Sequence, residues 1–158
     1  MVNKDEIVTT IQHGISAVRR EEYMLAYVLL TEAYASEDIQ TRHPEGLSHF
    51  GLALALMDKK FKSAIDFCNQ AIELQFYNAE AYLNLAKVYE AAGARRKAVA
   101  NLDRGLEVVP DHTALKEMRD SYGYRQPPAV PFLDRGNPVN KAIGIARTTT
   151  EAETEAGE

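Results

Sequence analysis

AEAYLNLAKVYEAAGARRKAVANLDRGLEVVPD, residues 79–111, decides the fold of this 158-residue chain. Apolar side chains recur in it at three- and four-residue spacing: Tyr82, Leu85, Ala86 and Tyr89 in one run, then Ala98, Leu102 and Gly105 in another, with Gly93 between them. That spacing predicts two helices joined by a tight turn. Pro110 has no amide hydrogen to donate and ends the second helix, so Asp111 is expected to cap the next one. Ala86, Ala98 and Gly105 are small where the two axes must approach to about 8 Å, and Tyr82, Leu85 and Tyr89 fill the space beside them.

The same seven-residue pairing of small side chains recurs upstream, at Ala64/Ala71 and Ala26/Ala33. Ala64 and Ala98 are 34 residues apart, the period of a helix-turn-helix repeat, while Ala26 and Ala64 are 38 apart, so four extra residues lie between the first two copies. The second copy carries Phe61, Ala64, Ile65, Cys68, Ala71, Ile72 and Leu74 on its second helix. Its first helix reads in two registers: either Leu52 or Gly51 is the close-packing residue. Glycine permits the closer approach and is favoured. The first copy has Gly14 and Ala17 on one helix and Tyr23, Ala26, Leu30 and Ala33 on the other.

On these residues the chain resembles the tetratricopeptide-repeat (TPR) family over about residues 4–122. The resemblance implies an all-α fold, a right-handed superhelical array of helix-turn-helix repeats at about 7–39, 45–78 and 79–111, closed by a capping helix at 112–122 and followed by an irregular tail. It also implies a concave groove lined by the first helix of each repeat. Matched residue by residue, the groove would hold Ile11, Gln12 and Ile15, then His49 and Ala53 with Phe50 or Leu52 according to register, then Leu83, Asn84 and Lys87. Ile11 and Ile15 read equally as core packing of a diverged end repeat. The subclass that clamps chaperone carboxylate ends uses lysine, arginine and asparagine in the groove; here the matching places are Ile11, Ile15, Glu80 and Asn84, so that cationic clamp is missing.

The tail changes character at Gly123. Pro127, Pro128 and Pro131 favour an extended path, Phe132 and Leu133 follow, and Asn137 with Pro138 can start a short helix presenting Val139, Ala142, Ile143 and Ala146. Residues 123–146 are expected to dock through Phe132, Leu133, Val139 and Ile143, on the chain's own repeats or on a partner or second copy. Residues 147–158, rich in threonine, glutamate, alanine and glycine, are expected to be disordered.

Nothing in the sequence assembles an active site. His13, His43, His49 and His112 include no pair at helical metal-ligand spacing, and the lone Cys68 lies in a core stripe. No glycine-rich phosphate loop appears. No cofactor or metal is expected. His13 reads as a half-buried helix residue, and Arg95-Arg96-Lys97 as a cap on the carbonyls of the preceding helix. A composition of 46% hydrophobic and 26% charged residues suits a folded domain, and a net charge of −5 is the wrong sign for nucleic acid. No apolar run reaches the roughly 20 residues of a membrane span. The amino terminus lacks a secretory pattern and the single thiol fits a reducing compartment, so a cytoplasmic home is expected. The expected function is a non-enzymatic scaffold, adaptor or chaperone-like module binding a protein or peptide segment. The alternatives are a homo-oligomeric assembly in which the tail fills a groove, or a chaperone similar to class II of type III secretion.

Overall fold

Each helical hairpin turns on one residue with a left-handed backbone. Helices α1 (Lys4–Arg19) and α2 (Tyr23–Ala33) meet through Glu21, at φ +61°. Helices α3 (Leu47–Asp58) and α4 (Phe61–Leu74) meet through Lys59, at φ +57°. Helices α5 (Ala79–Ala91) and α6 (Arg95–Val108) meet through Gly93, at φ +72°. The Glu21 and Gly93 turns share one hydrogen-bond pattern. Glu22 N donates to Ala17 O and Glu21 N to Val18 O, both at 2.9 Å; Ala94 N donates to Tyr89 O at 2.8 Å and Gly93 N to Glu90 O at 2.9 Å. This pairing satisfies the last carbonyls of each first helix. Only the third turn uses glycine; a side chain in the left-handed region costs about 1 kcal/mol at each of the other two.

The computed structural model describes residues 4–35, 39–40, 43–123, 137–139 and 141–143. Every regular element among them is helical. Met1–Tyr122 form one compact unit and Gly123–Glu158 a second. In the first, α1 borders α3, α3 borders α5, and α5 borders α7 (Thr113–Ser121), so the first helices of successive hairpins lie side by side with the last helix after them. The chain is therefore a helical repeat array. In the second unit, Asn137 Oδ1 accepts from Val139 N at 3.0 Å, with Pro138 at the first helical position and residues 141–143 helical. Phe132 and Leu133 lie outside the described residues.

The small-residue pairs that set the repeat are all buried: Ala26 and Ala33, Ala64 and Ala71, Ala98 and Gly105. Their neighbours settle the register of α3. A Cβ added to Gly51 would stand 2.7 Å from the backbone oxygen of Ala64 and 2.8 Å from Cys68 Sγ, so Gly51 is the residue at which α3 and α4 touch. Helix propensity alone favours alanine there by about 1 kcal/mol. A backbone oxygen cannot step aside as a flexible side chain can, and overpacking costs about 1–3 kcal/mol, so the clash should decide the sign. Gly51→Ala is expected to lower stability, and a urea titration showing a higher midpoint would contradict this contact.

Between the first two repeats, a 3₁₀ turn at Pro44–Gly46 leads into α3. The Tyr34 hydroxyl, at the end of α2, donates to His43 O at 2.6 Å and accepts from Gly46 N at 3.0 Å. This anchors the turn onto α1, where a Cβ on Gly46 would lie 2.8 Å from Ile11 Cγ2. The junction between the first two repeats thus packs on the first helix.

Three local expectations are corrected. His112, not Asp111, caps α7: its Nδ1 accepts from Leu115 N at 3.3 Å, which the imidazole can do as well as a carboxylate. His13 is exposed rather than half-buried. Arg95 reaches forward, its Nη2 donating to Tyr122 O at 2.7 Å with the guanidinium 5.0 Å from that ring, so it caps α7 rather than α5.

Candidate binding groove

The register set by Gly51 decides what α3 offers to the side shared with α5. Consecutive helix residues are rotated by about 100°, so with Gly51 against α4, Leu52 and Leu56 turn one way and Phe50 the other. Phe50 completes an aromatic cluster, with its ring centroid 5.8 Å from that of Tyr34 and 4.8 Å from that of Phe67. Leu56 instead forms the floor of a groove of about 650 Å³, with the fully buried Leu52 packed beneath it. Helix α5 adds Leu83 and Lys87, one turn apart, followed by Glu90 and Ala91. The inner face of α7 adds Ala114, Glu117 and Met118, and the α1–α2 turn adds Glu21 and Tyr23. Leucine and methionine thus make the base, while Glu21, Glu90 and Glu117 are exposed at the rim.

A polar brace closes off the rest of the face shared by α1, α3 and α5. Arg19, at the end of α1, holds Glu80, at the start of α5, through two hydrogen bonds: Nε to Oε1 at 2.9 Å and Nη2 to Oε2 at 2.7 Å. His49 of α3 lies against this pair, its Nε2 3.6 Å from Glu80 Oε2, and is 2% exposed. Burial holds the His49 pKa down to about 4 against the pull of the Glu80 carboxylate, so the ring is neutral at pH 7. Burial alone would push Glu80 up, but the Arg19 hydrogen bonds and the nearby positive charges outweigh it and leave the carboxyl below its ordinary value. Deeper in, Asn84 Nδ2 donates to Ser48 Oγ at 3.1 Å and ties α5 to α3.

Residues 55–120 match the family model for the tetratricopeptide repeat. The solved structures agree over a longer span. The Arabidopsis OM64 TPR domain matches with a TM-score of 0.59 at 18% identity, covering 75% of this chain and 95% of that one. YrrB, a TPR protein described as having an unusual peptide-binding site, matches with a TM-score of 0.59 at 24% identity, over 76% of this chain and 58% of its own. The first TPR of Spaghetti (RPAP3), solved bound to the HSP90 peptide SRMEEVD, matches with a TM-score of 0.57 at 19% identity, over 76% of this chain and 94% of that one. The array therefore has the tetratricopeptide-repeat fold. No curated protein matches it. No helix among the described residues is long and apolar enough to cross a membrane.

Within this TPR array the residues matched to a groove from sequence divide sharply. Ile11, Ile15, His49, Phe50, Ala53 and Asn84 are buried, each at most 7% exposed, and are corrected from groove contacts to packing residues. The reasons differ: the Pro44–Gly46 turn covers Ile11, the Arg19–Glu80 brace covers His49, Phe50 faces the aromatic cluster, and Asn84 bonds to Ser48. Gln12 is exposed on α1 and does not line the groove. Leu83 and Lys87 do line it, both half-buried. Sequence matching missed Leu56, Glu90, Ala91 and the whole contribution of α7. Helical spacing from Leu52 and Lys87 pointed to the first three; the α7 residues needed the packing of that helix on α5. Of the tail residues, Val139 is exposed and Ile143 half-buried. Cys68 is fully buried, and burial pushes its thiol pKa far up, leaving it protonated and unreactive.

Proposed function

We propose that this protein is a non-enzymatic interaction scaffold that holds a segment of another polypeptide in the groove between α3, α5 and α7. The observation that carries this reading is the uncovered apolar floor of Leu56, Leu83 and Met118 in a groove of about 650 Å³, a size within the usual range of ligand pockets. Apolar side chains at three- and four-residue spacing on the partner would fit a floor built at that spacing. The reading is supported by the first TPR of Spaghetti, a domain of similar fold solved bound to a peptide. That peptide is acidic, whereas here the places matched to a cationic clamp hold Ile11, Ile15, Glu80 and Asn84, and the groove lining has Lys87 as its one cation against Glu21, Glu90 and Glu117.

The test is selection of peptides from a random displayed library on the intact chain, followed by affinity measurement on two variants. Leu83→Asp and Leu56→Asp place a charge on the floor without touching a fully buried position. Each is expected to weaken the selected peptides at least tenfold while the helical circular dichroism stays unchanged, because an ionised carboxylate against apolar partner groups costs well over 1.4 kcal/mol. Equal affinity for both variants and the parent would remove the groove from consideration.

A further inference from the structure

The rim of the groove specifies the chemistry of the partner more narrowly than its floor does. Three carboxylates, Glu21, Glu90 and Glu117, stand around it on the α1–α2 turn, on α5 and on α7, against one ammonium, Lys87. The carboxylates are exposed, whereas Lys87 is half-buried beside the floor. Four other surface acids of the array are engaged in ion pairs: Asp58 with Lys60, Asp111 with Lys116, Asp103 with Arg119 and Glu22 with Arg20. The rim carboxylates sit in none of these pairs; Glu90 lies beside the Tyr122 hydroxyl, whose pKa is raised by burial first and by this carboxylate second.

Resting on the groove reading above, we infer that the partner is a cationic amphipathic segment: apolar anchors for Leu56, Leu83 and Met118, with lysine or arginine flanking them to meet Glu21, Glu90 and Glu117. The physical ground is charge complementarity. An apolar segment flanked by acids would bring its charges within a Debye length of about 10 Å of three like charges, with a single cation to offset them. One flanked by bases gains at every rim position. Exposed pairs contribute modestly one by one, so the floor supplies most of the affinity and the rim supplies the choice between partners. Net charge alone does not make this choice. The chain carries −5 overall, but its outer faces also hold cations such as Lys97 and Arg104, which lie over the Tyr89 and Tyr82 rings.

Three synthetic peptides sharing a Leu-x-x-Leu-Leu core and differing only in flanks, of lysine, serine or glutamate, test the inference by fluorescence anisotropy on the full chain. The expected order of affinity is lysine, then serine, then glutamate, with about tenfold between the extremes. The double variant Glu90→Gln/Glu117→Gln should erase most of that spread, while Glu73→Gln/Glu107→Gln, which changes net charge equally at exposed sites away from the groove, should leave it within twofold. A spread unaffected by the groove pair, or reduced as much by the outer pair, overturns the inference, as does failure of all three peptides to bind. The floor is read separately: if Leu83→Asp abolishes binding of the serine-flanked peptide while the flanks make no difference, the groove reading stands and the charge inference falls. If Leu83→Asp changes nothing, both fall.

Discussion

Replacing Tyr82 by alanine is expected to cost about 3–5 kcal/mol, the range for removing a large aromatic ring from a core. Tyr82 is 1% exposed and is the largest fully buried side chain among the described residues. Its ring carbons fill the space left open by Gly105, whose absent Cβ would stand 2.9 Å from Tyr82 Cβ. Its hydroxyl donates to Phe76 O at 2.9 Å, tying the start of α5 to the loop before it. The gap cannot collapse easily, because Asn101 Nδ2 holds the Tyr82 backbone carbonyl at 2.6 Å and keeps α5 and α6 at their spacing. Against a total stability of about 5–15 kcal/mol for a domain, this loss is a large share. Tyr82→Phe keeps the ring and loses only the hydrogen bond, so it should cost about 1 kcal/mol. Urea unfolding followed by circular dichroism reads both, and a loss below about 1 kcal/mol for alanine would show that Tyr82 is not the post on which the third hairpin stands.

The second large effect is expected on acidification. His49 is neutral in the fold with its pKa lowered to about 4, whereas an unfolded histidine titrates near 6.5. Below about pH 6.5 the unfolded chain therefore takes up a proton that the folded ring refuses. The unfolded state binds more protons in this window, so stability rises with pH and is lost as pH falls from about 6.5 to about 4, by about 3 kcal/mol in all. Glu80 adds a later loss. Its lowered pKa stabilises the fold above the ordinary glutamate value, and that contribution disappears as pH falls through the folded pKa. His49→Gln should flatten the profile between about pH 4 and 6.5 while leaving the lower limb in place. An unchanged slope in that variant would show that the buried imidazole is not what makes the fold acid-sensitive.

Both effects arise at positions whose residue type was visible in the sequence but whose role was not. Tyr82 was legible as a packing residue, because the third repeat keeps helical spacing and small-residue pairing without interruption. His49 was matched to the groove, because the pattern places it on the face that such arrays leave open. Its burial depends on Arg19, thirty residues upstream, meeting Glu80, thirty-one downstream, and no local periodicity encodes that meeting. Ile11 and Ile15 were open to a core or a groove reading for a related reason: what covers Ile11 is the Pro44–Gly46 turn, at the junction of the first two repeats.

Sequence alone determined the hairpins, their small-residue contacts and the helical repeat array, because these follow from side-chain volume and spacing within some thirty residues of chain. It narrowed the register of α3 to two choices and leaned toward Gly51, since a missing Cβ is itself local information. Only the tertiary structure decided which side chains remain open to a partner. Exposure is a property of what packs on top, and here the covering groups come from a spacer turn, a bidentate ion pair between the first and third hairpins, and α7. Six of the nine matched positions are buried, and the open floor falls to Leu56, Leu83 and Met118.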